Sequence, residues 1–205
     1  MIIRFDHLTY VCNSVHLEET LSKFANTGYK EQFREEGIPN ITPKKPFLRF
    51  TNETHSLFFM EKENAIPIEV ISYELTSQEE QVADYKQDGY SFSYYTQDVE
   101  SLSTLFESVG FKRVDEITYN AKGVLDKNDT VIIINKSDNP SPYLDNEGFT
   151  CPTLFVDSYL KTKSKIEENG FICTDASPIV INGRDLKIFF VVGRHKEVLE
   201  LISNK

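Results

Sequence analysis

An α+β fold made of three β-α-β-β-β units is what this 205-residue sequence predicts. Three observations lead there. The same order of short β-rich runs and one amphipathic stretch recurs three times along the chain. Each amphipathic stretch ends in glycine plus an aromatic residue: Gly28-Tyr29, Gly110-Phe111 and Gly170-Phe171. Glycine takes the positive φ that turns a helix sharply back into a strand, and the aromatic can cover the junction. The first and third units also close on matching apolar runs, Ile66 to Ser72 and Val198 to Ser203, each broken by a single glutamate.

The elements follow in order. Phe5 to Val11 is rich in strand formers, and Cys12-Asn13-Ser14 offers a helix entry. Val15, Leu17, Leu21, Phe24 and Ala25 then keep a helical period up to Gly28. Tyr29 to Phe33 reads as a strand, and the residues from Gly37 to Pro46 as a loop, because proline cannot join a central ladder. Phe47 to Phe50, Ser56 to Met60 and the Glu69 run supply the remaining strands of a first unit, residues 1–75. Residues 76–89 have no sustained apolar period and read as a linker or short surface helix.

The second unit, residues 90–136, starts with the strand Tyr90 to Tyr95, and Asp98 caps a helix carrying Val99, Leu102, Leu105, Phe106 and Val109. Strands over Phe111 to Tyr119, Ala121 to Leu125 and Val131 to Ile134 complete it. Prolines and turn formers mark residues 137–150 as a second linker. The third unit, residues 151–205, has a strand at Thr153 to Val156, an Asp157-Ser158 cap and a short helix. Its last strands lie at Ile179 to Ile181, Leu186 to Val192 and Glu197 to Ser203, with Asn182-Gly183 as a hairpin turn.

Composition narrows the function classes. Hydrophobic residues at 40% suit a packed core, and no apolar run approaches the eighteen or so residues of a membrane span. The start of the chain lacks a signal-peptide pattern, so a cytoplasmic protein is expected. Cys12, Cys151 and Cys173 are odd in number, far apart and without a Cys-x-x-Cys pair, and are read as buried thiols. A net charge of −10 repels nucleic acid and anionic membrane, which leaves small molecules or protein, including a second copy of the chain, as partners.

The two glutamates carry the sharpest chemical signal. A carboxylate has no cheap place in an apolar strand, so Glu69 and Glu200 must face a wet cavity, meet a cation or sit at an edge. Strand alternation puts Glu69 on one face with Ile71 and Tyr73, opposite Ile68 and Val70. His7 lies on the first strand. His16, His55 and His195 read as surface residues, either of the last two being able to line a cup mouth; Arg34, Lys44, Lys45 and Arg49 read as a solvated basic face.

With its β-α-β-β-β order, its opening Phe5-Asp6-His7-Leu8-Thr9-Tyr10-Val11 and its Ile68-Glu69-Val70, the chain resembles the vicinal oxygen chelate superfamily of glyoxalases, extradiol dioxygenases, methylmalonyl-CoA epimerases and bleomycin-resistance proteins. The resemblance implies that two modules curl into a cup holding a divalent metal, with His7 and Glu69 matching two ligand positions and Glu200 matching a third ligand or a catalytic base. Mn, Fe, Zn, Ni or Co would suit those donors. It implies a metal-dependent lyase, isomerase or dioxygenase acting on a small molecule with vicinal oxygens, or, as alternative, a metal-free binding or resistance protein of the same fold. Two departures stand out. Neither Ser91-Phe92-Ser93 nor Cys151-Pro152-Thr153 supplies a second histidine, and Val131 to Ile134 carries no carboxylate.

Overall fold

The computed structural model describes residues 3–77, 87–113, 118–121, 130–136, 143–195 and 197–204. The first unit runs β1 (Ile3–Asn13), α1 (Leu17–Asn26), β2 (Lys30–Pro39), β3 (Thr54–Glu61) and β4 (Ile68–Tyr73). After the two-residue β5 (Gln87–Asp88), the second comprises β6 (Ser91–Thr96), α2 (Val99–Ser108), β7 (Lys112–Arg113), β8 (Thr118–Ala121) and β9 (Thr130–Lys136). The third comprises β10 (Gly148–Val156), α3 (Tyr159–Glu168), β11 (Ile172–Cys173), β12 (Ser177–Ile181), β13 (Arg184–Val192) and β14 (Val198–Asn204).

Local chemistry explains the helix limits. Asp98 and Ser158 accept from the backbone N–H groups of Ser101 and Lys161 at the starts of α2 and α3. Gly28, Gly110 and Gly170 follow the three helices with φ of 97°, 108° and 80°, which is the left-handed turn their position calls for.

Two expectations are corrected. Phe47 to Phe50 is not a strand: a 3-10 turn at Lys45–Phe47 holds its start, with Pro46 at a turn position that suits proline. And β2 continues through Gly37 to Pro39 instead of yielding to a loop. It is the outermost strand of its sheet, where proline costs no ladder bond, and a register shift between Glu35 and Ile38 absorbs Gly37. Of the expected strand at 121–125 only Ala121, the end of β8, is described; residues 78–86 of the first expected linker and 137–142 of the second fall outside the described residues, and the second linker ends early, at Gly148, where β10 begins.

The first and third units form one nine-stranded sheet in the order β11-β13-β14-β10-β1-β4-β3-β2, with β12 paired to β13, while the second unit has its own sheet, β5-β6-β9-β8-β7. The join is antiparallel, β1 against β10, with His7 opposite Thr153. One face of the large sheet packs on helices and on the second unit in the main core, where Leu8, Ile68, Val70, Leu154 and Leu201 meet Phe92 and Phe106. The other face curls inward over two apolar clusters, one around Val11, Leu57, Ile71 and Tyr73, the other around Cys151, Phe190 and Val198.

Two segments cover this interior. Ile179 and Ile181 of β12 pack on the first unit's inner cluster, and the Asn182 backbone N–H at the hairpin tip donates to the Glu35 carboxylate. From the other side the loop 40–53 folds in, with Leu48 touching both clusters and Phe47 packed on Phe190 at 5.6 Å. All three cysteines are free and buried.

Candidate functional site

Strand register places the candidate residues in two adjacent rows across the inner face, Glu69-Thr9-Cys151 and His7-Thr153-Glu200. β4 runs parallel to β1 with Glu69 beside Thr9; β1 meets β10 with His7 beside Thr153; β10 runs parallel to β14 with Thr153 beside Glu200. The antiparallel join therefore relates Glu69 to Glu200, Thr9 to Thr153 and His7 to Cys151. Cys151 is the counterpart of His7, so the missing second histidine is a buried cysteine, whose thiol donates to the Val198 carbonyl at 3.3 Å.

Glu69 and Glu200 share a cavity of about 40 Å³, walled by aliphatic side chains and by Lys44 and His55. At ~30 Å³ per molecule that is space for a water or so. Lys44 corrects the sequence reading, and His55 takes the alternative of lining the cup. Lys44 does not lie on a solvated face but is half-buried with its ammonium 5.5 Å from the centre of the Tyr73 ring, and His55 is buried, 5.7 Å from the same ring.

His7 is buried between two carboxylates. Its Nδ1 lies 3.0 Å from Asp6 Oδ2, and Asp6 Oδ1 accepts a 2.8 Å hydrogen bond from Arg4. Its Nε2 lies 3.4 Å from Glu69 Oε2 without hydrogen-bond alignment, and Thr9 donates to the same oxygen at 3.3 Å. The Phe59 ring meets the imidazole edge-on at 5.6 Å. On the outer side of Phe59 and Asp6 runs a groove of about 780 Å³ bearing Arg4, Lys30, Lys62 and Arg184.

The charges sort accordingly. Burial works against a charged His7, but Glu69 and Asp6 outweigh it and lift its pKa well above the ordinary range. Burial likewise opposes the Glu69 carboxylate, yet His7, Lys44 and Thr9 hold its pKa below the usual value. Glu200 is left over. Burial, then the nearby charge of Glu69, push its pKa up to about 7 against the weaker pull of Lys44 and His7. His55 is driven well below its ordinary pKa by burial and by Lys44. The site thus holds an imidazolium, an ionised carboxylate, a lysine and one carboxyl poised near neutrality.

A metal is the cofactor that the sequence resemblance implies, and the donor set can be tested for it. In favour stands an unpartnered buried His7 Nε2 facing Glu69, with its other nitrogen fixed by Asp6 as ligating histidines usually are. Against it stand the cysteine in place of a second histidine, its thiol kept protonated by burial, and the positive charge of Lys44 in the cavity. Among the described residues, no three or more His, Cys, Asp or Glu side chains converge as a metal centre requires. These residues do not fit a resident ion held by three protein ligands.

The structure brings the sequence candidates His7, Glu69 and Glu200 close together and adds Asp6, Thr9 and Lys44, which the sequence reading did not single out for the site. Asp6 and Thr9 flank His7 and could have been found from the strand period; Lys44 sits in a loop with no period at all.

Fold and site together define a modular α+β cup with an ionised interior. No family model and no curated protein matches the chain. Among solved structures it is similar to methylmalonyl-CoA epimerase from Mycobacterium tuberculosis, at 10% identity over 98% of this chain and 87% of that one, with a TM-score of 0.46. It is also similar to glyoxalase I from Zea mays, at 16% identity over 98% and 67% of the two chains and a TM-score of 0.41. A hypothetical protein from Bacillus halodurans is similar at 12% identity over 99% and 95%, with a TM-score of 0.43. Likeness at these scores adds nothing to the site chemistry, which stands on the chain's own residues.

Proposed function

We propose that the protein takes a small molecule with adjacent oxygens into the cup and exchanges a proton with it, Glu200 acting as the base. The carrying observation is the pairing of two carboxyls whose surroundings drive them apart: Glu69 ionised beside His7, Glu200 raised to about 7. A carboxyl with that pKa is matched to proton transfer near neutral pH, where an ordinary glutamate is too weak a base. The neighbouring cations, His7 and Lys44, are of the right sign to hold an oxyanion formed next to the proton lost. Entry of a ligand larger than water requires the β12–β13 hairpin or the loop 40–53 to move aside.

The test is proton exchange. The protein is incubated in D2O with a panel of 2-oxo acids, 1,2-dicarbonyls and 2-hydroxy ketones, and deuterium uptake next to the carbonyl is followed by proton NMR. Uptake above buffer rate that disappears in Glu200→Gln is the expected result. Absence of exchange across the panel, with thermal-shift binding retained, would instead support a metal-free binding protein.

A second reading, a metal-dependent lyase, isomerase or dioxygenase using His7, Glu69 and Glu200, is favoured by the unpartnered His7 Nε2. Metal analysis of protein purified without chelator tests it: stoichiometric metal absent from His7→Ala and Glu69→Gln would support it.

A further inference from the structure

We propose that Lys44 is the resident cation of the cup, delivered by a purpose-built loop into the place where a divalent ion would otherwise balance Glu69 and Glu200. The inference is independent of whether Glu200 acts as a base, since it concerns only what neutralises the two buried carboxyls.

The first support is position. Lys44 lines the same small cavity as both glutamates, and its charge acts on both, with the Tyr73 ring against its ammonium at 5.5 Å. A lysine tip enclosed by apolar walls is costly unless it meets negative charge, and two strand glutamates are costly unless they meet positive charge. Each supplies what the other lacks.

The second support is the loop itself. A stray surface lysine would ride on a loosely held segment, but loop 40–53 is pinned along its length. Asp145, fully buried, accepts hydrogen bonds from the backbone N–H groups of Arg49 and Phe50 at 2.9 and 2.8 Å. Leu144 donates its N–H to the Phe47 carbonyl at 2.8 Å. Buried Asn52 donates to the Leu75 carbonyl and accepts from the Leu75 N–H, and buried Asn40 donates to the Asn52 carbonyl. These bonds close the two ends of the loop on each other and tie its second half to Leu75, just after β4, and to the segment leading into β10, so the Lys44 side chain enters the cavity from a fixed base.

The third support is the asymmetry of the two units. With Cys151, its thiol kept protonated by burial, in place of a second imidazole, the cup lacks a ready donor, and a fixed positive side chain needs none. An ammonium and a divalent ion cannot both occupy so small a space without strong repulsion.

The experiment is calorimetric titration of chelator-treated protein with Mn²⁺ and with Ni²⁺, for wild type, Lys44→Met, Lys44→Arg and the double variant Lys44→Met/Glu69→Gln. Wild type and Lys44→Arg are expected to show no stoichiometric binding at micromolar ion. Lys44→Met, freed of the resident charge, is expected to bind at least tenfold more tightly than wild type, and the double variant to lose that gain. Should Lys44→Met fold poorly, the wild-type and Lys44→Arg titrations decide alone. One equivalent of tightly bound ion in wild type, with affinity unchanged in Lys44→Met or in Lys44→Arg, overturns the proposal.

Discussion

Replacing Glu200 by glutamine isolates the charge that the cup resists most. In the folded protein this carboxyl titrates at about 7, against an ordinary value of 4.5, because burial and the Glu69 charge disfavour its ionised form. A raised folded pKa contributes stability that is fully present below the unfolded value and is lost as pH rises through the folded one. For Glu200 the loss runs from about pH 4.5 to just above 7. At 1.36 kcal/mol per pKa unit, the interval amounts to about 3 kcal/mol. Glutamine keeps the shape of the protonated acid and cannot ionise. Urea unfolding of wild type and Glu200→Gln at half-unit steps from pH 4 to 8.5 should give a stability difference, variant minus wild type, that grows by about 3 kcal/mol across that window. Terms shared by the two proteins, His7 included, cancel to first order. A difference that stays flat with pH would refute the reasoning, since it would mean that Glu200 ionises in the fold as easily as in the unfolded chain.

Four other outcomes are expected. His7→Gln removes the cation between Asp6 and Glu69, leaving Asp6 to Arg4 and Glu69 to Lys44, and should cost about 1–3 kcal/mol at neutral pH; because the folded His7 pKa is raised well above 6.5, the gap to wild type should close only in alkaline solution, which urea unfolding at pH 7 and above can follow. Asp145→Ala unpairs the Arg49 and Phe50 N–H groups and should lower stability by about 2–3 kcal/mol in the same assay, with faster amide exchange confined to loop 40–53. A Cβ at Gly193 would stand against the Glu197 carboxylate, which takes hydrogen bonds from the Thr96 hydroxyl and the His195 N–H, so Gly193→Ala should depress the melting temperature by several degrees. Tyr94→Phe removes a buried 3.0 Å bond to the Val198 carbonyl that ties the second unit to β14, at a cost of about 1 kcal/mol by chemical denaturation.

What could be read from the sequence divides along a physical line. The helix ends at Gly28, Gly110 and Gly170 and the Asn182-Gly183 turn were legible because a few adjacent residues determine each of them. The facing of Glu69 with Ile71 and Tyr73 was legible because strand period is itself local. Which units share a sheet was not, since the antiparallel pairing of β1 with β10 joins segments more than a hundred residues apart and no local pattern encodes it. Lys44 failed for a related reason. Pro43-Lys44-Lys45-Pro46 looks the same whether a lysine points to solvent or into a cup, and only Asp145, a hundred residues on, fixes the loop that decides it.

That division bears on how the site should be understood. Glu69 and Glu200 are related by the join of two like units, so a symmetric cup would give both the same pKa. The structure does not. His7 stands beside Glu69 while its counterpart near Glu200 is Cys151, a thiol that burial keeps uncharged, and this one difference leaves Glu69 ionised and Glu200 poised near neutrality. Two equal carboxylates would serve as a pair of ligands; two unequal ones can divide into an acid and a base. The residue that weakens the cup as a metal centre is therefore the same one that gives it a proton-transfer group at neutral pH, and a cysteine-to-histidine change at position 151 should move it back: in Cys151→His, metal titration should show a gain in divalent-ion binding and the Glu200 carboxyl should titrate lower, as read by carboxyl-carbon NMR.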